Sequence, residues 1–168
     1  MIITKTPVRI SFFGGGTDYP EHFEKNGGSV LVTSIDKYSY LNVKPLSHFF
    51  DYAMRISYTK TELVNDIDAI MHPAVRECLK FLNIRRGIEI HYIGDLPART
   101  GLGSSSSFTV GLLHALHVFK GEMVSPLQLA QEAVIVERDM IKERIGLQDQ
   151  YASAFGGLLF LKFSGKNR

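Results

Sequence analysis

Apolar positions along the chain fall into two periods, and the change from one to the other marks out the elements. Near the start, Val8, Ile10 and Phe12 alternate with Arg9, Ser11 and Phe13. This is the two-residue period of a strand, and it sets Arg9 on the face opposite the apolar set. Gly14, Gly15 and Gly16 end that strand. β-branched and aromatic residues gather again over 29–34 and 38–43, which predicts two further strands, the second closed by Pro45. Residues 46–71 show no clean period and read as a loop with short helical turns. Pro73 suits the first turn of a helix running to about Asn83. Gly87 then opens a strand in which Ile88, Ile90 and Tyr92 share a face.

Beyond residue 103 the period lengthens. Phe108, Leu112, Ala115, Leu116 and Phe119 follow the i, i+4, i+7, i+8 spacing of a helix, ended by Gly121. Ser125, Pro126 and Gln128 form an S-x-x-Q capping box with proline at the first helical position. That helix is expected to run to about Arg144, before Gly146. Gly156 and Gly157 make a turn, and LLFLKF is the final strand. Strands and helices mix without a strict βαβ rhythm, repeat or linker, so the class expected is α+β, one domain over residues 1–168.

Composition narrows the function classes. Apolar residues are 45% and charged residues 21% of the 168, as in globular domains. The net charge of +2 comes from interspersed groups rather than a basic block, which argues against an RNA-binding module or other nucleic-acid partner. MIITKTPVRI lacks a basic then apolar leader, and no apolar run approaches the length of a bilayer span. A soluble cytoplasmic chain without a membrane partner is expected. The single Cys78 shares a helical apolar pattern with Ala74, Val75, Leu79 and Leu82, the setting of a buried thiol.

The chemistry concentrates in DLPARTGLGSSSSFTVGLLHAL, where two glycines and four serines stand before an apolar helix. A helix start presents unpaired N–H groups and the positive end of the helix dipole, so it can receive an anion. Gly101 and Gly103 allow close backbone approach, and Ser104 to Ser107 can cap the helix, bond phosphate oxygens or meet a metal. A Gly/Ser linker has the same composition, but a linker needs polar flanks and this stretch lies between a strand and a helix. Neither G-x-x-x-x-G-K-[ST] nor the dinucleotide fingerprint fits, so a different phosphate loop is implied.

Three charged residues join it. Glu137 lies in the apolar stripe of its helix, between Ala133, Val134, Met140 and Ile141, where a carboxylate must be paired or metal-bound. Either a metal ligand or a salt bridge satisfies that need. Asp149 taken alone reads as an N-cap, and Arg9 alone as a surface or ion-pair residue. Together with a phosphate loop they match the needs of phosphoryl transfer: an anion cradle, a magnesium ligand, a base or orienter, and a cation. His114 and His117, three apart, could form a metal pair but read better as helix-surface residues.

TPVRISFFGGGTD, LPARTGLGSSSSFTVG and VERDMIKERIGLQDQYASAFGG resemble the three ordered motifs of the GHMP small-molecule kinases, from Thr6 to about Phe163. The resemblance implies a two-layer α/β N-terminal domain of that family, its C-terminal domain lying outside the chain. It implies that Gly101, Leu102, Gly103, Ser104, Ser105, Ser106 and Ser107 bind the phosphates of ATP, with Ser105 and Glu137 as magnesium ligands. Glu137 and Asp149 stand twelve residues apart, as in galactokinase-like members. Asp149 corresponds to the proposed catalytic base and Arg9 to a basic residue near the transferred phosphate. Asp18, with Gly15, Gly16 and Thr17, corresponds to a segment that binds sugar hydroxyls. GGGTD departs from the galactokinases' G-E-H-x-D and resembles the heptose-phosphate kinase branch and fucokinase-like domains, which implies a sugar phosphate acceptor.

Overall fold

The computed structural model describes residues 1–97 and 100–165; Ala98 and Arg99 of the phosphate-loop stretch lie outside them. Strand β1 (Ile2–Phe13) and the 18-residue β2 (Gly28–Pro45) pair antiparallel, joined by the three-glycine turn and helix α1 (Pro20–Asn26). β2 is one strand where the hydrophobic pattern predicts two. Pro7 pairs with Tyr38 and Arg9 with Ser34, so Ile35, Asp36 and Lys37 stand opposite the single residue Val8. That bulge interrupts the alternation without ending the strand. It also corrects the reading of β1: the buried positions are Thr4, Thr6 and Val8, whereas Ile10 and Phe12 are 37% and 52% exposed. Past the bulge it is Arg9 and Ser11 that are partly shielded.

The other edge of β2 carries β5 (Ile88–Gly94) against residues 39–45 and β6 (Leu158–Phe163) against residues 28–33. β3 (Met54–Ser57) pairs in parallel with β5 and antiparallel with β4 (Thr61–Val64). The sheet order is β1-β2-β5-β3-β4, with β6 beside β2. The region 46–71, expected to be loop with helical turns, therefore contains a hairpin as well as a short 3-10 turn at Ile67–Ala69. Strands of four residues are too short to display a period.

Helices α2 (Pro73–Phe81), α3 (Ser104–Lys120), α4 (Pro126–Val134) and α5 (Gln148–Phe155) complete the second layer. Leu41, Val43, Ile56, Ile88 and Ile90 of the sheet share one core with Leu112, Leu113 and Leu116 of α3. Each buried leucine contributes on the order of 2 kcal/mol. α3 lies on the sheet with α2 and α4 beside it, so burial extends beyond one stripe to Val110 and Gly111. Ser125 caps α4, accepting from the Gln128 amide at 3.1 Å, but Gln128 bonds Glu132 instead of closing the box.

The helix expected to reach Arg144 stops sooner. α4 passes into a π-helical segment, Ile135–Met140, and the chain turns at Lys142 with φ +68°. The widened turn carries Glu137, and such turns recur where function needs a side chain displaced. His114 is exposed, whereas His117 is buried with its ring nitrogens 2.7 Å from Glu122 and Glu132, so the surface reading fits His114 alone. Cys78 is fully buried, and burial pushes its thiol pKa well up.

Candidate active site

The phosphate loop enters α3 through Gly103, whose φ of +75° is left-handed. Only glycine suits this position twice over, because a Cβ would also stand 3.2 Å from Arg9 Cγ and 3.3 Å from Asp149 Oδ2. No side chain caps the helix among the described residues, which leaves the amides at its first turn for an incoming acceptor. The four serines divide by role. Ser104 and Ser105 line a cavity of about 450 Å³. Ser106 and Ser107 are buried: Ser107 Oγ donates to the Thr6 carbonyl at 2.9 Å, and Ser106 Oγ to Glu137 at 2.8 Å.

Arg9 binds this loop to the start of α5. Its Nε and Nη2 donate to Asp149 Oδ1 and Oδ2 at 2.7 and 2.8 Å, and its Nη1 donates to the Gly101 carbonyl at 2.7 Å. Its backbone amide donates to the Leu102 carbonyl. A planar fork on a carboxylate fixes both groups in distance and orientation. Asp149 is thus not an N-cap: α5 begins at Gln148 after Leu147, and the Asp149 carboxylate turns to the arginine.

The cap comes from elsewhere in the chain. Asp18 is fully buried, and its Oδ1 and Oδ2 accept from the amides of Gly16 and Gln148, both at 3.0 Å. A Cβ on Gly146 would fall 2.0 Å from Asp18 Oδ2. The carboxylate expected to meet sugar hydroxyls has backbone partners here, and it couples the three-glycine turn to α5. Thr17 Oγ1 lies 2.7 Å from the Gly14 carbonyl and closes the same turn. Gly15 lines a second cavity of about 400 Å³, together with Arg9, Ser11, Phe12, Gly101 and Gln148. Arg9 and Gly101 belong to both cavities.

Glu137 is 1% exposed, and its partners are neutral: Ser106 and Gln150 donate to Oε2, and Thr109 donates to Oε1 at 2.8 Å. Burial pushes its carboxyl pKa up, against the hydrogen bonds of Gln150, Thr109 and Ser106, and the charge of Glu143 adds to the rise. The salt bridge weighed for Glu137 is therefore replaced by three uncharged donors. A buried carboxylate that meets no opposing charge among the described residues, with a lone pair left on Oε1, fits a cation. Among the described residues no group of three His, Cys, Asp or Glu is placed to hold a metal. That does not weigh against magnesium, which takes one or two carboxylates together with phosphate oxygens and water.

Other residues of the site carry no signal in their spacing. His72, Tyr92 and Phe108 form the apolar back of the first cavity, with His72 stacked on Phe108 at 4.8 Å and Tyr92 edge-on to it at 4.9 Å. Burial lowers the His72 pKa. Glu143 lines the same cavity. Phe108 was visible only as a core position, and the others sit on separate elements.

The model for the GHMP kinases N terminal domain matches residues 69–157. The chain belongs to the GHMP kinase family. It is 31% identical over 176 residues to a D-glycero-alpha-D-manno-heptose 7-phosphate kinase of Campylobacter jejuni, covering 99% of this chain and 52% of that one. It is 27% identical to a galactokinase of Pyrococcus furiosus, covering 92% and 44%. A crystal structure described as a D-glycero-D-manno-heptose 1-phosphate kinase from Bacteroides thetaiotaomicron superposes with a TM-score of 0.87 at 23% identity, over 100% of this chain and 58% of that one. The GHMP domain accordingly spans about half the length of the curated relatives it matches. Among the described residues no helix is long and apolar enough to cross a membrane.

Proposed function

We propose that the full-length protein is a magnesium- and ATP-dependent sugar kinase. It moves the γ-phosphoryl group of ATP to a sugar hydroxyl, in particular O1 of D-glycero-D-manno-heptose 7-phosphate. One observation carries this reading: the uncapped start of α3 meets the Arg9–Asp149 pair at the wall of one cavity. The heptose kinase named among the relatives supports the acceptor.

Phosphate oxygens are received by the amides from Gly103 to Ser106, where the helix dipole favours negative charge. The base lies toward Tyr92, Phe108 and His72. Arg9 has five N–H groups and uses three, which leaves two for the oxygens of the moving phosphoryl group. Each Asp149 oxygen accepts one bond from Arg9 and keeps a lone pair. The carboxylate orients the acceptor hydroxyl and takes its proton as the new P–O bond forms and ADP departs. Magnesium, held by Ser105 and Glu137, would neutralise charge on the phosphates. Gly15, Gly16, Thr17 and Asp18 shape the acceptor side. Most of the rate comes from holding these groups in place before reaction.

The test is turnover by the full-length protein with magnesium-ATP and heptose 7-phosphate, followed as ADP release with the product phosphate located by phosphorus NMR. A new anomeric phosphate is the expected result. No ADP above background with this or related sugars would overturn the reading.

A further inference from the structure

Two residues that line the second cavity each carry a buried polar atom with no hydrogen-bond partner among the described residues. Ser11 comes from β1 beyond the bulge, and Gln148 is the first residue of α5. Gly15 lies between them, since a Cβ there would stand 3.6 Å from Ser11 Oγ and 3.8 Å from Gln148 Nε2. Gln148 is 9% exposed, and its Oε1, like Ser11 Oγ, has no hydrogen-bond partner among the described residues. A buried group left in this state is a net cost to the fold. Packing gives no reason to keep it, because the Gln148 backbone amide already ties α5 to Asp18.

We infer that Gln148 and Ser11 recognise the acceptor, each bonding a hydroxyl of a polyhydroxylated ligand in the second cavity. The inference rests on the kinase reading and names residues that choose its acceptor. An amide oxygen only accepts, so its partner must bring an O–H, while a serine hydroxyl can do either. A sugar offers several such groups, whereas a phosphate or carboxylate would meet the Gln148 oxygen with like charge. The rest of the wall suits the C–H faces of a ring: Ile10, Phe12 and Phe13 line it, with Phe13 73% exposed. Arg9 borders both cavities, so a hydroxyl reaching past it approaches the phosphoryl side.

The experiment compares Gln148→Met and Ser11→Ala with wild type in the full-length protein, using magnesium-ATP and heptose 7-phosphate. Gln148→Met should raise the acceptor KM about tenfold and Ser11→Ala about threefold, with the KM for ATP within about twofold of wild type. The ligand-free melting temperature of Gln148→Met should stay level or rise, because methionine removes an orphaned group at similar volume. A side chain kept for structure would give the reverse: lower melting temperature and unchanged acceptor KM. Acceptor KM values within about twofold of wild type in both variants would overturn the inference while leaving the kinase reading intact. Should wild type release no ADP, the kinase reading falls. Calorimetry with heptose 7-phosphate and with galactose then decides the inference: binding weakened in Gln148→Met supports it, and absent or unchanged binding overturns it.

Discussion

Replacing Arg9 and Asp149 by alanine, singly and together, measures whether the site is held rigid before any ligand arrives. Their side chains are 12% and 24% exposed and joined by two short, parallel bonds. Exposed ion pairs couple by about 0.2–1 kcal/mol, whereas breaking a buried one costs about 3–5 kcal/mol. A bidentate pair at this depth falls between, at about 2 kcal/mol. Arg9 also holds the Gly101 carbonyl, a bond in which Asp149 has no part, contributing about 1 kcal/mol. Arg9→Ala should therefore destabilise by about 3 kcal/mol and Asp149→Ala by about 2 kcal/mol. The double variant should be no worse than Arg9→Ala. Urea unfolding followed by circular dichroism gives all three values. Additive losses, with the double variant near 5 kcal/mol, would mean that the two side chains act separately and that no rigid clamp exists.

Further consequences concern Glu137 and the seat of α3. Because burial raises the Glu137 pKa above its ordinary 4.5, the folded state holds this proton more firmly than the unfolded chain. The stability this gives is complete below pH 4.5 and is lost as pH rises through the folded value. The stability of wild type relative to Glu137→Gln should accordingly fall as pH rises above 4.5 in urea titrations, and a pH-independent difference would refute the assignment. In the full-length protein, chelation should abolish turnover, and Glu137→Gln should raise the magnesium needed for half-maximal rate at least about tenfold. An unchanged magnesium dependence would remove Glu137 from the metal site. At Gly111 an added Cβ would stand 2.5 Å from Thr6 Oγ1 and 3.1 Å from Leu41 Cδ1. Gly111→Ala should thus lift α3 from the sheet and cost about 1–3 kcal/mol in urea unfolding, with an unchanged midpoint contradicting the close seat.

What could be read from the chain divides by the range of the physics involved. α3 and the start of α4 were legible because a helix is periodic over its own residues and its ends carry their own signals, as Gly121 and Ser125 do. β3 and β4 were not, since four residues hold no period and their existence depends on β5 lying alongside. The single β2 was hidden by residues whose placement is set by β1. The site follows the same division. Its chemical types were legible, because a carboxylate in an apolar stripe and glycines before a helix each demand an explanation locally. Their partners were not: Arg9 meets Asp149 across 140 residues, and Ser106 meets Glu137 across 31. Taken alone Asp149 reads as a cap for this reason, since a local rule offers a role that the Asp18 carboxylate fills, while a distant guanidinium holds the Asp149 side chain. Gln148 marks the limit of such reading. A glutamine opening a helix is unremarked in any pattern, and it acquires meaning only when folding buries its amide oxygen beside a cavity with no partner among the described residues. Under the inference drawn for Gln148, such a residue is found neither by charge nor by spacing but by the hydrogen bond that the described fold leaves unmade.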